Sequence, residues 1–123
     1  MKTQPVPKVT RADVERIVRR DFPADLAVEV LALLDEYGIE IWQREPDRVR
    51  LAALKLAAGS VESLRSHIEV AKRDYRDVLA AAEYPDYLRL DPRGPTLPAD
   101  ERERIIEADW RQYIEWLMAR PGS

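Results

Sequence analysis

Apolar residues along this chain recur mostly at intervals of three and four, the spacing that keeps side chains on one face of a helix. The clearest run is Val61, Leu64, Ile68, Ala71, Tyr75, Val78 and Ala82, a heptad seam that predicts one continuous helix from Val61 to about Glu83, ended by Pro85. Upstream, Thr10 stands as an N-cap with Asp13 in the capping-box position, and Val14, Ile17 and Val18 form the stripe of a short first helix reaching about Arg20. A second helix is expected from Pro23 to Tyr37. Its apolar residues, among them Leu26, Val30, Leu33 and Leu34, spread over about half the circumference, and Gly38 stops it. Pro46 opens a third helix that ends at Ala58. Gly59 and Ser60 then make a two-residue corner, Gly59 closing one helix and Ser60 capping the next. A last helix is predicted from Ala99 to Ala119, with Ile106, Trp110, Tyr113, Ile114 and Leu117 as its core face.

The breakers set the organisation. Residues 1–9, with Pro5 and Pro7 and no periodicity, read as a flexible N-terminal arm, residues 10–120 as a single helical domain, and residues 121–123 as a tail. Asp91-Pro92-Arg93-Gly94 has the residue order of a type I turn, within a Tyr84 to Pro98 segment expected to cross between the two long helices. No alternating stretch is long enough for a strand. The expected fold is therefore all-α, a compact bundle of about five helices with a short corner between the third and fourth. The long fourth and fifth helices are expected to form its spine, the seam of helix four packing on helix five or helix two.

Composition narrows the classes. With 46% hydrophobic and 35% charged residues over 123 positions, the chain can fill one core and stay dissolved. It has no cysteine, so disulfides, thiolate metal sites and thiol catalysis are excluded. No apolar run approaches the length of a membrane span, and Met1 to Thr10 lacks the apolar stretch of a signal peptide; a cytoplasmic protein without a membrane partner is expected. The net charge of −3 is unevenly spread. Met1 to Phe22 has six Lys/Arg against three Asp/Glu, whereas Pro23 to Glu45 has one Arg against six acids.

Candidate chemistry is sparse. His67 is the only histidine, and Leu64 occupies the position where the Glu-x-x-His pattern of bundle di-iron sites needs a glutamate. Ser63 and His67 share a helix face, but Asp74 lies about 10 Å further along the axis, too far to orient the ring as a triad requires. None of the four glycines stands in dinucleotide-binding or P-loop spacing. No catalytic residue, metal or cofactor is therefore expected. Lys72-Arg73-Asp74-Tyr75-Arg76-Asp77 mixes signs and reads as a solvated face. Two partner surfaces remain. One is the carboxylate edge Asp25, Glu29 and Glu36 of helix two, either open to a basic partner or paired to Arg16 and Arg19. The other is Ile105 with Trp116, off the main face of the last helix, where a tryptophan can anchor an interface unless the Trp42 connector or the 84–90 segment covers it.

The stretch Arg48 to Tyr87, with LAALKLAAGS and EVAKRDYRDVLAAAEYPDY across the corner, resembles a group of small uncharacterised bacterial helical proteins. The resemblance spans about a third of the chain. It implies a bacterial source and a shared helical fold, and it transfers no activity, cofactor or site residue.

The functional expectation is a non-catalytic interaction protein, an adaptor, a homo-oligomer or an immunity-like inhibitor, whose partner is another protein or a second copy. The alternative is a small-ligand binder or enzyme using carboxylates and tyrosines inside the bundle, around Tyr37, Glu40, Trp42 and Tyr113. Nucleic-acid binding would have to use Arg11, Arg16, Arg19 and Arg20.

Overall fold

The computed structural model describes residues 6–90 and 97–121. The predicted turn at Asp91-Pro92-Arg93-Gly94 lies outside the described residues, as do residues 1–5 of the arm and 122–123 of the tail. Among the described residues the fold is all-α, without strands: α1 (Arg11–Asp21), α2 (Ala27–Leu34), α3 (Pro46–Ala57), α4 (Val61–Glu83), α5 (Pro85–Leu90) and α6 (Ala99–Met118).

The start of α1 follows its sequence signal. The Asp13 carboxylate accepts the Thr10 backbone N–H at 3.0 Å, which satisfies a donor that the helix itself leaves unpaired. Val14, Ile17 and Val18 are buried, and Pro7 of the preceding arm is buried as well.

The α2 region is shorter than its apolar pattern. A 3-10 turn, Ala24–Leu26, precedes α2, and after Leu34 the backbone tightens, with Glu36 N–H donating to Leu33 O and Tyr37 N–H to Leu34 O. Arg50 of α3 explains the early end. Its guanidinium donates to Leu34 O at 3.0 Å and Tyr37 O at 2.7 Å, taking carbonyls that a longer helix would have used itself. Gly38 then turns the chain at φ +106°, where an added Cβ would come within 2.8 Å of the same guanidinium.

At the centre lies α3, with Val49, Leu51, Ala52, Ala53, Leu54 and Ala57 buried over much more than one face. It packs against α4 more extensively than any other pair of elements. The alanines let the two backbones come close, and Leu64, Ile68, Ala71 and Ala82 of the seam are wholly buried. The seam is thus consumed mainly by α3, across the short corner, rather than by the last helix or α2. Ser60 Oγ accepts the Ser63 N–H at 3.2 Å to start α4, as its N-cap position requires.

Two departures from the sequence expectation concern this long helix. First, α4 is not a continuous rod: Asp74 has extended geometry at φ −155° and ψ 100°. Its carboxylate accepts the Arg76 backbone N–H at 3.1 Å and the Arg76 guanidinium at 3.0 Å, so Asp74 acts as an internal N-cap for the last turns, with Asp77 three residues on. Second, Pro85 does more than end α4, because it also opens α5 as a first-turn proline.

Asp109 of α6, almost wholly buried, supplies the donors of α5 with their acceptor, taking the backbone N–H groups of Asp86 at 3.2 Å and Tyr87 at 2.9 Å. Gln112, one turn on, donates to Ala82 O at 3.3 Å. At its other end α6 is tied to α1: Arg20 donates to Trp116 O and Ala119 O, carbonyls that the helix end leaves unpaired. Together these contacts hold α6 against α5, the end of α4 and the end of α1.

Candidate partner-binding loop

The segment between α2 and α3 is short and polar-rich, yet Gln43 makes it rigid. The Gln43 side-chain carbonyl accepts three successive backbone N–H groups, those of Gly38 and Ile39 at 2.9 Å and of Glu40 at 3.0 Å, while the Gln43 N–H donates to Glu40 O. One buried amide oxygen thereby replaces the acceptors a regular element would have provided. Tyr37 anchors the far side, its buried hydroxyl donating to Arg44 O at 2.9 Å. Burial, with Tyr75 and Glu45 adding to it and Arg50 opposing, pushes that phenol up to about 12, so it remains a donor throughout the physiological range.

What this rigid loop presents is apolar. Ile39 is 74% exposed, Ile41 100% and Trp42 50%, three large hydrophobic side chains within four positions. Single exposed aliphatic residues are ordinary on any protein; a tryptophan and two isoleucines exposed within four positions, on a backbone pinned by its own side chain, are the feature that sets this loop apart. The charges around it are largely engaged. Asp35 accepts from Arg11 at 2.7 Å, Glu36 pairs with Lys72 at 2.8 Å, and Glu45 pairs with Arg48 at 2.6 Å, which leaves Glu40 and Arg44 as the flanking charges without a partner among the described residues. Glu45 itself sits at φ +52°, left-handed geometry that costs a non-glycine residue about 1 kcal/mol and sets the angle at which the loop enters α3.

The acidic edge expected on helix two is assembled differently. Asp25 is exposed on the 3-10 turn, Glu29 approaches Arg65 of α4 at 4.0 Å, and Glu36 meets Lys72 of α4. The edge is therefore bridged to α4. Neither Arg16 nor Arg19 takes part: Arg16 pairs with Asp13 at 3.5 Å within α1, and Arg19 is exposed. The residue that does join α2 to α1 is Asp35, through Arg11.

At the second candidate surface the Trp116 ring is partly covered from inside the molecule. Trp116 is half-buried, with the Arg20 guanidinium 5.1 Å above its ring and the Tyr113 ring 5.6 Å away. Ile105 is also half-buried. The cover over Trp116 comes from α1, where Arg20 is further fixed by Asp21 at 2.7 Å, so neither the Trp42 connector nor the 84–90 segment is needed. With its side chain 8% exposed, Arg20 is unavailable to a nucleic-acid backbone.

Tyr37, Glu40, Trp42 and Tyr113 do not converge on one pocket. Tyr37 is in the core bonded to Arg44 O, Glu40 and Trp42 face solvent on the loop, and Tyr113 is buried on α6. No group of three or more His, Asp and Glu side chains is placed to hold a metal among the described residues. The buried carboxylates have structural partners. Glu83 receives two guanidinium bonds from Arg48, at 2.6 and 2.7 Å, and Asp109 receives the α5 donors. Burial pushes the Asp109 carboxyl above its usual range, against the pull of those two N–H groups and of Lys55. Burial likewise lowers the Lys55 ammonium.

Sequence reasoning placed Trp42 in a connector without anticipating its exposure, and it missed Gln43. The signal was present as three large apolar residues between Gly38 and Pro46, at spacings that suit neither a helix nor a strand. No helix of the described residues is long and apolar enough to cross a membrane. Comparison with protein-family models, with curated proteins and with solved structures finds no match.

Proposed function

We propose that this chain is a non-catalytic interaction protein that docks onto a protein partner through the Ile39–Ile41–Trp42 loop. The observation that carries the reading is the combination of high exposure at these three side chains with a backbone already fixed by Gln43 and Tyr37. A preformed loop loses little conformational entropy on binding, and tryptophan is among the residues that most often dominate interface energy. The partner surface it fits is an apolar pocket wide enough for an indole, with a cation near Glu40 and an anion near Arg44 on its rim. The absence of cysteine suits a reducing compartment such as a bacterial cytoplasm.

The acidic-edge version has less support, since Glu36 is paired with Lys72 at 2.8 Å and Glu29 lies 4.0 Å from Arg65. Affinity capture from the native lysate, followed by titration of the identified partner against purified variants, tests the loop. Trp42→Ala should weaken binding by roughly thirty-fold, about 2 kcal/mol, and Ile41→Ser should weaken it as well. Reversing Asp25 should leave binding within about two-fold, as expected for a rim charge. A partner that binds both loop variants as tightly as the parent chain would refute the reading. Light scattering on the same samples decides whether the partner is a second copy.

A further inference from the structure

A small chamber lies beside the Arg48–Glu83 ion pair, lined by Pro7 of the arm, Glu83 and Tyr84 at the end of α4, and Ile106, Trp110 and Tyr113 of α6. It offers about 10 Å³ to the centre of a water-sized sphere. That is the least that holds one water molecule, roughly 10–15 Å³ on this measure, and it is far too small for an organic ligand. Most of its lining is aromatic or aliphatic. Two polar groups face the problem of burial there in opposite ways.

Tyr113 is 1% exposed, and its hydroxyl has no hydrogen-bond partner among the described residues. Buried hydroxyls are nearly always paired, so this one calls for an explanation. Glu83, 3% exposed, has the complementary surplus. Each of its oxygens accepts one bond from Arg48, and each retains a second lone pair. Burial, and then the negative charge of Glu83 opposed by Arg48, raise the Tyr113 phenol well above its usual range. The phenol therefore stays protonated and must donate, and the Glu83–Arg48 pair is close enough to act on it.

We propose that the chamber is an internal hydration site for a single water, which accepts the Tyr113 O–H and donates to the Glu83 carboxylate. The bridge would join α6 to the ion pair that already links α3 to α4, closing a chain Arg48, Glu83, water, Tyr113 across three helices. Pro7, which has no N–H and an apolar ring, lines the chamber without competing for the water. This site is independent of the docking loop, and each stands or falls separately.

Oxygen-17 relaxation dispersion on the full chain counts long-lived internal waters. Tyr113→Phe should lower the dispersion amplitude by one water and the melting temperature by about 3–6 °C, the shift expected for loss of one buried bridge in a domain of this size. Pro7→Gly should shorten the residence time while leaving the amplitude. Ile106→Phe, which fills the chamber and leaves the hydroxyl in place, provides a second route to the same loss should Tyr113→Phe not fold. Equal amplitude in the parent, in Tyr113→Phe and in Ile106→Phe would overturn the proposal. So would a higher melting temperature in Tyr113→Phe, because removing a hydroxyl with no partner at all relieves the fold.

Discussion

Replacing Gln43 by alanine removes the acceptor shared by the N–H groups of Gly38, Ile39 and Glu40. A single neutral hydrogen bond contributes about 0.5–1.5 kcal/mol net, but three donors sharing one oxygen with two lone pairs do not sum fully, and near the surface they regain water. The expected loss is about 2 kcal/mol by urea unfolding, with faster amide exchange concentrated at 38–40 and α3 left unaffected. Gln43→Glu separates the acceptor from the amide. A carboxylate placed among three N–H donors has its pKa depressed in the folded state, so its contribution is present above the unfolded carboxyl pKa and lost as pH falls through the folded value. That variant should match the parent near pH 7 and fall to the alanine variant in acid. Unchanged stability in Gln43→Ala together with unchanged exchange at 38–40 would refute the claim that this side chain pre-organises the 38–43 loop. If the loop reading is also right, Gln43→Ala should weaken partner binding while Trp42 itself is intact, the cost being the entropy of ordering a loosened loop.

Three further outcomes follow from buried charge and helix capping. Glu83→Ala should cost about 3–5 kcal/mol by removing the buried carboxylate from Arg48, whereas the double change Arg48→Met with Glu83→Leu should be neutral or stabilising in the same urea titration. Because burial raises the folded pKa of Asp109, its contribution is present below the unfolded carboxyl value near 4 and is lost as pH rises through the folded value; relative to Asp109→Asn, the parent's urea midpoint should fall with rising pH across that interval. Asp74→Ala removes the internal cap of α4 and should either cost about 1 kcal/mol or let residues 73–76 become regular helix, and chemical shifts at Arg73 to Arg76 distinguish the two.

Local rules account for most of the helix ends. Thr10 and Asp13, Pro46, Gly59 and Ser60 did what their side chains and backbone preferences dictate over one turn, and no distant contact overruled them. The α4 break was equally local, since Asp74 and Asp77 have capping-box spacing, but the heptad running past it concealed it: apolar period and polar cap are separate signals. Asp109 could have been placed on the buried face of α6 by its spacing from Ile106 and Tyr113, although not with its partners, which belong to a helix that only Pro85 announces.

What the chain determined by itself was the class of fold and the residues available to be buried, because both depend on periodicity within a few turns. Tertiary structure decided which surfaces survive. It gave the seam of α4 to α3, placed Arg20 over Trp116, bridged Glu29 and Glu36 to α4, and left Ile39, Ile41 and Trp42 uncovered. Those assignments rest on contacts between residues distant in the chain. An apolar side chain has the same drive to leave water wherever it lies, and only the arrangement of the remaining helices determines whether a neighbour from its own chain meets it.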